Sequence, residues 1–185
     1  MRTCSLLFLA GAVVCLGAAC QPQPAFKTTS TIREIMDAMV MPPADVLWGA
    51  VSISVSDKGV EENGPKTDEE WTKVRRQAVM IAEASDLILM TGRHVAKPGE
   101  KSKEPKAQLE PDQIDALINK DREGWTKFAH GMHDAAMVAV KAIDDRKLQA
   151  LSAAGDGLNE SCETCHKKYW YPNEGKDAEP AAQKK

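Results

Sequence analysis

The chain has 185 residues, which is long enough for one domain with its own hydrophobic core and short for two. Charged residues make up 28% of it, and the formal net charge is −3. Because the chain is mildly acidic and has no prominent basic stripe or basic tail, we do not expect it to bind nucleic acid.

The N-terminal residues predict export from the cytoplasm. One basic residue, Arg2, precedes an uninterrupted apolar run from Leu6 to Ala19. The run is too short to span a bilayer comfortably, and it ends in small residues, as secretory signal peptides do. We therefore expect residues 1–20 to be a signal peptide. No second apolar run of spanning length follows, so the rest of the chain is expected to be a soluble periplasmic protein.

Cys20, directly after this run, leaves two interpretations of the signal open. A lipoprotein signal would acylate the Cys20 thiol and provide a lipid anchor. Such signals usually have a large aliphatic residue three positions before the cysteine, where this chain has Gly17, and Leu16 lies one position too early. A single acyl chain gives only marginal membrane binding, so stable anchoring would need a second signal.

A flexible tether rich in proline and glutamine is expected over residues 21–28. The first helix should begin at Thr31, which has capping-box spacing to Glu34. Pro42-Pro43 should interrupt or kink this helix, so that Pro43 starts a second helical piece. From Val51 to Pro65 we predict an irregular loop, in preference to the small hairpin that the alternating sequence also allows.

Further amphipathic segments complete the predicted fold. Together with the first helix, these segments predict an all-α domain over residues 29–172, with the architecture of an antiparallel four-helix bundle. A disordered tail is expected over residues 173–185. Trp48, Trp71 and Trp125 are expected in its core. The expected elements are a helix from Thr67 to Gly92, a solvated loop from His94 to Glu110, a short helix from Pro111 to Asn119, a helix opening at Asp121 and a helix from about Arg146 to Tyr169.

The strongest functional signal is Cys162-Glu-Thr-Cys165-His166, the C-x-x-C-H pattern of covalent haem c attachment. With 3.6 residues per turn, these two thiols and the imidazole share one narrow helical face. Two thiols there can form thioethers with one porphyrin while His166 reaches the iron from the same side. After export, Cys162 and Cys165 are also the only thiols expected inside the folded domain.

Three other interpretations of the paired cysteines are weaker. A thioredoxin-like pair normally opens a helix after a strand, whereas this pair lies near the end of the last predicted helix. A zinc site would need two more ligands, for which His130 and His133 are the candidates. A structural disulfide would leave His166 unexplained.

With C-E-T-C-H-K-K-Y near its C-terminus and four predicted helices, the chain resembles the class II c-type cytochromes, the cytochrome c-prime group. The resemblance covers roughly residues 28–172. It implies that Cys162 and Cys165 are the thioether residues, that His166 is the proximal iron ligand, and that the first helix faces the other side of the iron. It also implies that the protein pairs as a homodimer through its early helices. Pro42-Pro43 and the long segment between the second and third helices depart from the pattern.

The first helix offers methionines for the sixth iron position. Met36 and Met39 lie about 60° apart on the inward face of an α-helix. We favour Met36, with Met39 as second choice, while Met41 lies beside the prolines and is less securely placed. The alternative is that all three methionines only fill the core. Arg33 is a candidate contact for a haem propionate, since a guanidinium suits carboxylate oxygens.

These residues predict a periplasmic mono-haem electron carrier that is not an enzyme. It would exchange electrons with a redox partner protein, which the sequence does not identify. His/Met coordination would suit that role, because a thioether ligand raises the reduction potential of haem iron. If the distal position is instead empty and apolar, the protein would bind small gases such as NO or CO. A third hypothesis is a haem-free helical binding protein.

Overall fold

The computed structural model describes residues 26–57 and 59–173. The predicted signal peptide, the Cys20 lipidation site and residues 21–25 of the tether lie outside the described residues. So do residues 174–185 of the predicted tail.

The first helical segment begins where the capping box predicts. The Thr31 hydroxyl accepts a hydrogen bond from the Glu34 N–H at 3.1 Å, and the Glu34 carboxylate accepts one from the Thr31 N–H at 2.9 Å. The segment then consists of α1 (Ile32–Ile35), a π-helical turn (Met36–Val40) and α2 (Met41–Trp48).

Pro42 and Pro43 do not break this segment. They lie in the first turn of α2, where a missing N–H donor costs least, and the preceding turn widens to π geometry. The second piece therefore begins at Met41, two residues earlier than predicted.

A β-hairpin follows, so the prediction of an irregular loop was wrong here. Strands β1 (Ser52–Ser56) and β2 (Gly59–Asn63) pair antiparallel, with Ser52 opposite Asn63 and Ser56 opposite Gly59. Gly59 has a φ of 117°, which favours glycine at the start of β2. The alternation of Ser with Ile and Val in β1 was the correct local signal.

The remaining helices lie close to their predicted positions. They are α3 (Asp68–Leu87), α4 (Pro111–Lys120), α5 (Arg122–Asp144) and α6 (Leu148–Tyr169). Thr67 caps α3 with Glu70, and the Asp121 carboxylate caps α5 by accepting the Gly124 N–H at 3.0 Å.

The segment between α3 and α4 is less solvated than predicted. Val95 is fully buried and Ala96 nearly so. The carbonyls of His94 and Val95 accept hydrogen bonds from the Ile32 and Arg33 N–H groups at 2.9 and 3.0 Å. These bonds satisfy donors at the start of α1 that the helix itself cannot satisfy. They also fix this segment against the first helical segment.

The fold is mostly helical, with one small two-stranded sheet. Helix α5 packs on α3 and α6, and α2 packs on the same two helices, so these four helices surround a shared core. Trp71 and Trp125 are buried in it as predicted, but Trp48 is 36% exposed and lies at its edge. Among the described residues, no helix is both long enough and apolar enough to cross a membrane.

Trp125 is the largest fully buried side chain in this core, and its replacement by alanine should be strongly destabilising. Its indole N–H donates to the Ile88 carbonyl at 3.2 Å, and its ring packs edge-on against Tyr169 at 5.3 Å. We expect Trp125→Ala to lower the free energy of unfolding by about 3–5 kcal/mol, measured by denaturant titration. Trp48→Ala should cost clearly less because Trp48 is partly solvated, and equal losses would contradict the packing described here.

Candidate functional site

Helix α6 presents the cysteines and the histidine of the C-x-x-C-H pattern to one internal cavity. Cys162, Cys165 and His166 are half-buried and all line this cavity, which has a volume of about 300 Å³. The two thiols are not joined in a disulfide. Their shared face was predicted from the helical spacing, and the structure brings the three residues together at one site.

The rest of the cavity wall is largely apolar. The first helical segment and α5 provide most of it, and Ile88, just after α3, contributes a buried side chain. A cavity of this size and lining is typical of small-molecule and cofactor sites. The apolar lining residues from the first helical segment and α5 are Met36, Val40, Met41, Ala44, Trp48, Phe128, Ala129 and Met132.

The π turn determines which methionines reach the cavity. The Met41 N–H donates to the Met36 carbonyl, five residues earlier, and both side chains line the cavity. Met39 packs half-buried against the core and is not among the lining residues. A helix with 3.6 residues per turn would place Met36 and Met39 together, whereas the wider π turn brings Met41 to the cavity instead.

Burial controls the protonation of the three α6 side chains. It raises the pKa of Cys162 to about 11 and that of Cys165 to about 12. It also lowers the pKa of His166, while the nearby Glu163 charge acts in the opposite direction. Near neutral pH the imidazole is therefore neutral, which is the form that binds a metal ion.

The same pKa shifts disfavour a thioredoxin-like dithiol. Such pairs react through a thiolate whose pKa is lowered, whereas both thiols here are held protonated. The zinc alternative also lacks support, because His130 is exposed. Across residues 26–57 and 59–173, no group of three or more His, Cys, Asp or Glu side chains is placed to hold a metal ion.

A polar groove of about 170 Å³ adjoins the cavity, and Met36 and His166 line both. Arg33 and Lys103 line the groove as its two cationic side chains. The Arg33 guanidinium donates to the Lys101 carbonyl at 3.2 Å and lies 3.6 Å from the Glu100 carboxylate. The structure thus places Arg33 beside the cavity, together with Lys103 from a segment that the sequence did not associate with the site.

Two aromatic residues after the motif hold His166 in place. Its ring lies 5.6 Å from that of Trp170 and 6.1 Å from that of Tyr171, measured between centroids. The Tyr171 hydroxyl donates to the Glu163 carboxylate at 3.0 and 3.1 Å. The sequence placed these aromatics next to the motif, but their contacts depend on how the chain turns after α6.

The end of α6 is fixed to the start of α5 through Asp121. Lys168 forms an ion pair with the Asp121 carboxylate, and the Tyr169 hydroxyl donates to the Asp121 carbonyl at 3.3 Å. The hydrogen bond from Lys168, followed by that from the Gly124 N–H, lowers the pKa of Asp121 below its ordinary value of 3.8. This contact holds the C-terminal end of the Cys162–His166 face in position.

Comparison with known proteins gives no match: no family model, no curated protein and no solved structure is significantly similar to this chain. The resemblance to class II cytochromes c therefore rests on the attachment motif and the helical pattern.

An Asp121→Asn variant tests the contact at the end of α6. Asparagine can still accept the Gly124 N–H, but it removes the charge that faces Lys168. Because the pKa of Asp121 is lowered in the folded state, the wild type should be the more stable protein above about pH 4, and its advantage should disappear as the pH falls through the folded-state pKa. Denaturant titrations across this pH range measure the difference. A difference that stays constant at all pH values would assign the effect to packing and not to charge.

Proposed function

We propose that this protein is an exported mono-haem c-type cytochrome that carries electrons in the periplasm. The observation that carries the proposal is that two thiols and an imidazole from one helical face line a single, largely apolar cavity, with methionine sulfur among its other lining groups. This donor set fits a covalently bound haem, because C-x-x-C-H is the pattern of thioether attachment and a methionine sulfur is a common haem-iron ligand.

Each residue of the site has a distinct proposed role. Cys162 and Cys165 would form the thioether links, and His166 would bind the iron through a neutral ring nitrogen. When bound, haem supplies an iron that can gain or lose one electron. Met36 would supply the second protein ligand to the iron, because it lines both the cavity and the polar groove.

The polar groove supports a propionate contact by Arg33. A haem carries two carboxylates, and Arg33 and Lys103 are the cations on the groove wall, whereas the cavity lining has no lysine or arginine. Charge-assisted hydrogen bonds from a guanidinium to a carboxylate are stronger than neutral ones. The mostly apolar cavity wall would keep water from the iron and favour a stable ligand set.

The helix contacts support an antiparallel four-helix bundle of the cytochrome c-prime type. The four helices of this arrangement are the first helical segment, α3, α5 and α6. Each of them packs on two of the other three. The sequence motivates the other parts of this proposal. They are export, a redox partner protein, a lipid anchor at Cys20 and homodimer pairing through the early helices.

Covalent haem attachment is the first test. Expressed with a cytochrome c maturation system, the wild-type chain should keep haem on a denaturing gel, and Cys162→Ser/Cys165→Ser should lose it because both thioether links are removed. Cys20→Ser is the matched control, since it removes a cysteine outside the motif and should keep the haem. A wild-type protein that matures without haem would instead favour the haem-free binding protein.

The absorption spectrum of the reduced protein tests the second axial ligand. Met36→Ala should convert a sharp low-spin α band into a broad high-spin spectrum, because alanine cannot coordinate iron. Met39→Ala is the matched control, since Met39 does not line the cavity, and it should leave the low-spin spectrum intact. Loss of the low-spin band in Met41→Ala alone would assign the ligand to Met41.

A gas-binding protein is the second candidate function. Its support is the apolar character of the cavity wall, where Val40, Ala44 and Phe128 offer no ligand atoms. A high-spin spectrum already present in the wild-type protein, together with CO binding to the reduced form, would favour this function over electron transfer.

A further inference from the structure

The β-hairpin has a solvent-exposed face with three aliphatic side chains that the haem proposal does not use. Paired residues of an antiparallel hairpin point to the same face, so Val55 and its partner Val60 share a face with Ile53 and with Glu62, the partner of Ile53. The exposed fractions of these side chains are 50% for Ile53, 79% for Val55 and 65% for Val60. A two-stranded hairpin with an unburied apolar face is only marginally stable by itself.

The two strands of the hairpin differ in charge and in attachment. Strand β2 carries Glu61 and Glu62, and the Glu62 carboxylate accepts a hydrogen bond from the Gln149 amide of α6 at 2.7 Å. Strand β1 has the sequence Ser-Ile-Ser-Val-Ser, with no charged residue and no proline, and all five residues are exposed. Charges and prolines are the usual means by which an edge strand resists pairing with another chain, and β1 has neither.

The sequence of β1 is also compatible with pairing to itself. A two-fold axis through Ser54 would place Ser54 opposite Ser54 of the second copy and Ile53 opposite Val55. Serines would then face serines, and the aliphatic side chains would form cross-strand pairs on one face. A two-fold interface requires such self-complementarity. The same operation on β2 would place Glu61 against Glu61, which like-charge repulsion disfavours.

We propose that β1 is a self-association surface, on which a second copy of this chain pairs antiparallel about Ser54 to form a four-stranded sheet. The hydrogen bonds come from the backbone edge of β1, and the apolar pairs come from Ile53 and Val55. Because a five-residue strand pair is smaller than a standard stable interface, the dimer forms and dissociates with protein concentration. It is distinct from pairing through the early helices, and it does not require haem.

Cysteine crosslinking tests the register of this pairing. In the proposed dimer the two Ser54 positions lie directly opposite each other, within the Cα separation that a disulfide spans. Ser54→Cys should therefore crosslink to itself rapidly in air, with oxygen accepting the electrons. Mass spectrometry of the linked peptides would exclude bonds that involve Cys162 or Cys165.

Ser52→Cys and Ser56→Cys are matched controls, because these serines are exposed on the same strand and face. In the proposed register, Ser52 of one chain and Ser52 of the other are displaced by four residues along the strand, and the same holds for Ser56. This displacement is about 13 Å, which a disulfide cannot span. Each control alone should crosslink much more slowly than Ser54→Cys. An equimolar mixture of the two should form the mixed dimer, because Ser52 lies opposite Ser56 of the second copy.

Sedimentation of the wild-type exported protein provides the second measurement. The dimer fraction should rise with concentration, and Val55→Lys should abolish it by placing a charge on the edge strand. Equal crosslinking rates for all three cysteine variants, or a wild-type chain that stays monomeric up to about 1 mM, would overturn the proposal.

Discussion

Packing of the Cys162–His166 face of α6 against the first helical segment determines the chemistry of the cavity. Desolvation disfavours charge on both kinds of side chain, so it raises the pKa of the thiols and lowers that of the imidazole. A neutral imidazole can bind a metal ion, whereas two protonated, buried thiols are poor nucleophiles for disulfide exchange. The same packing thus favours a neutral imidazole and disfavours a redox dithiol.

The residues that follow the motif fix the orientation of this face. After His166, the rings of Trp170 and Tyr171 pack against the imidazole, and Tyr171 is hydrogen-bonded to Glu163. The Leu109 N–H donates to the Trp170 carbonyl at 2.8 Å, so the segment before α4 is fixed to the same region. That segment also satisfies the first donors of α1. One irregular stretch therefore links the helix that carries the motif to the helix that carries Met36.

The sequence predicted the parts of this arrangement that depend on local spacing. Capping boxes at Thr31 and Thr67 set two helix starts, and the C-x-x-C-H spacing placed its three side chains on one face, as the structure confirms. The sequence could not predict features that depend on contacts between distant segments. Lys103 reaches the groove only because its segment folds over the first helix. Trp48, expected in the core, lies at its edge because α2 ends beside α6.

The π turn is the clearest feature that local sequence spacing does not predict. A contact between the end of α2 and helix α6 explains why the turn persists. A π turn holds one residue more than an α turn, so its loss would rotate all later residues by about 100° about the helix axis. That rotation would break the hydrogen bond at 3.0 Å between the Trp48 indole N–H and the Gly155 carbonyl of α6.

Gly155 is suited to this contact, because an added Cβ would lie 3.3 Å from the Trp48 ring. The close approach of Trp48 to α6 therefore opposes relaxation of the turn to α geometry. The turn places Met36 and Met41 on the cavity wall and excludes Met39. The contact of Trp48 with Gly155, which is distant in sequence from the methionines, therefore helps to determine which sulfur faces the cavity.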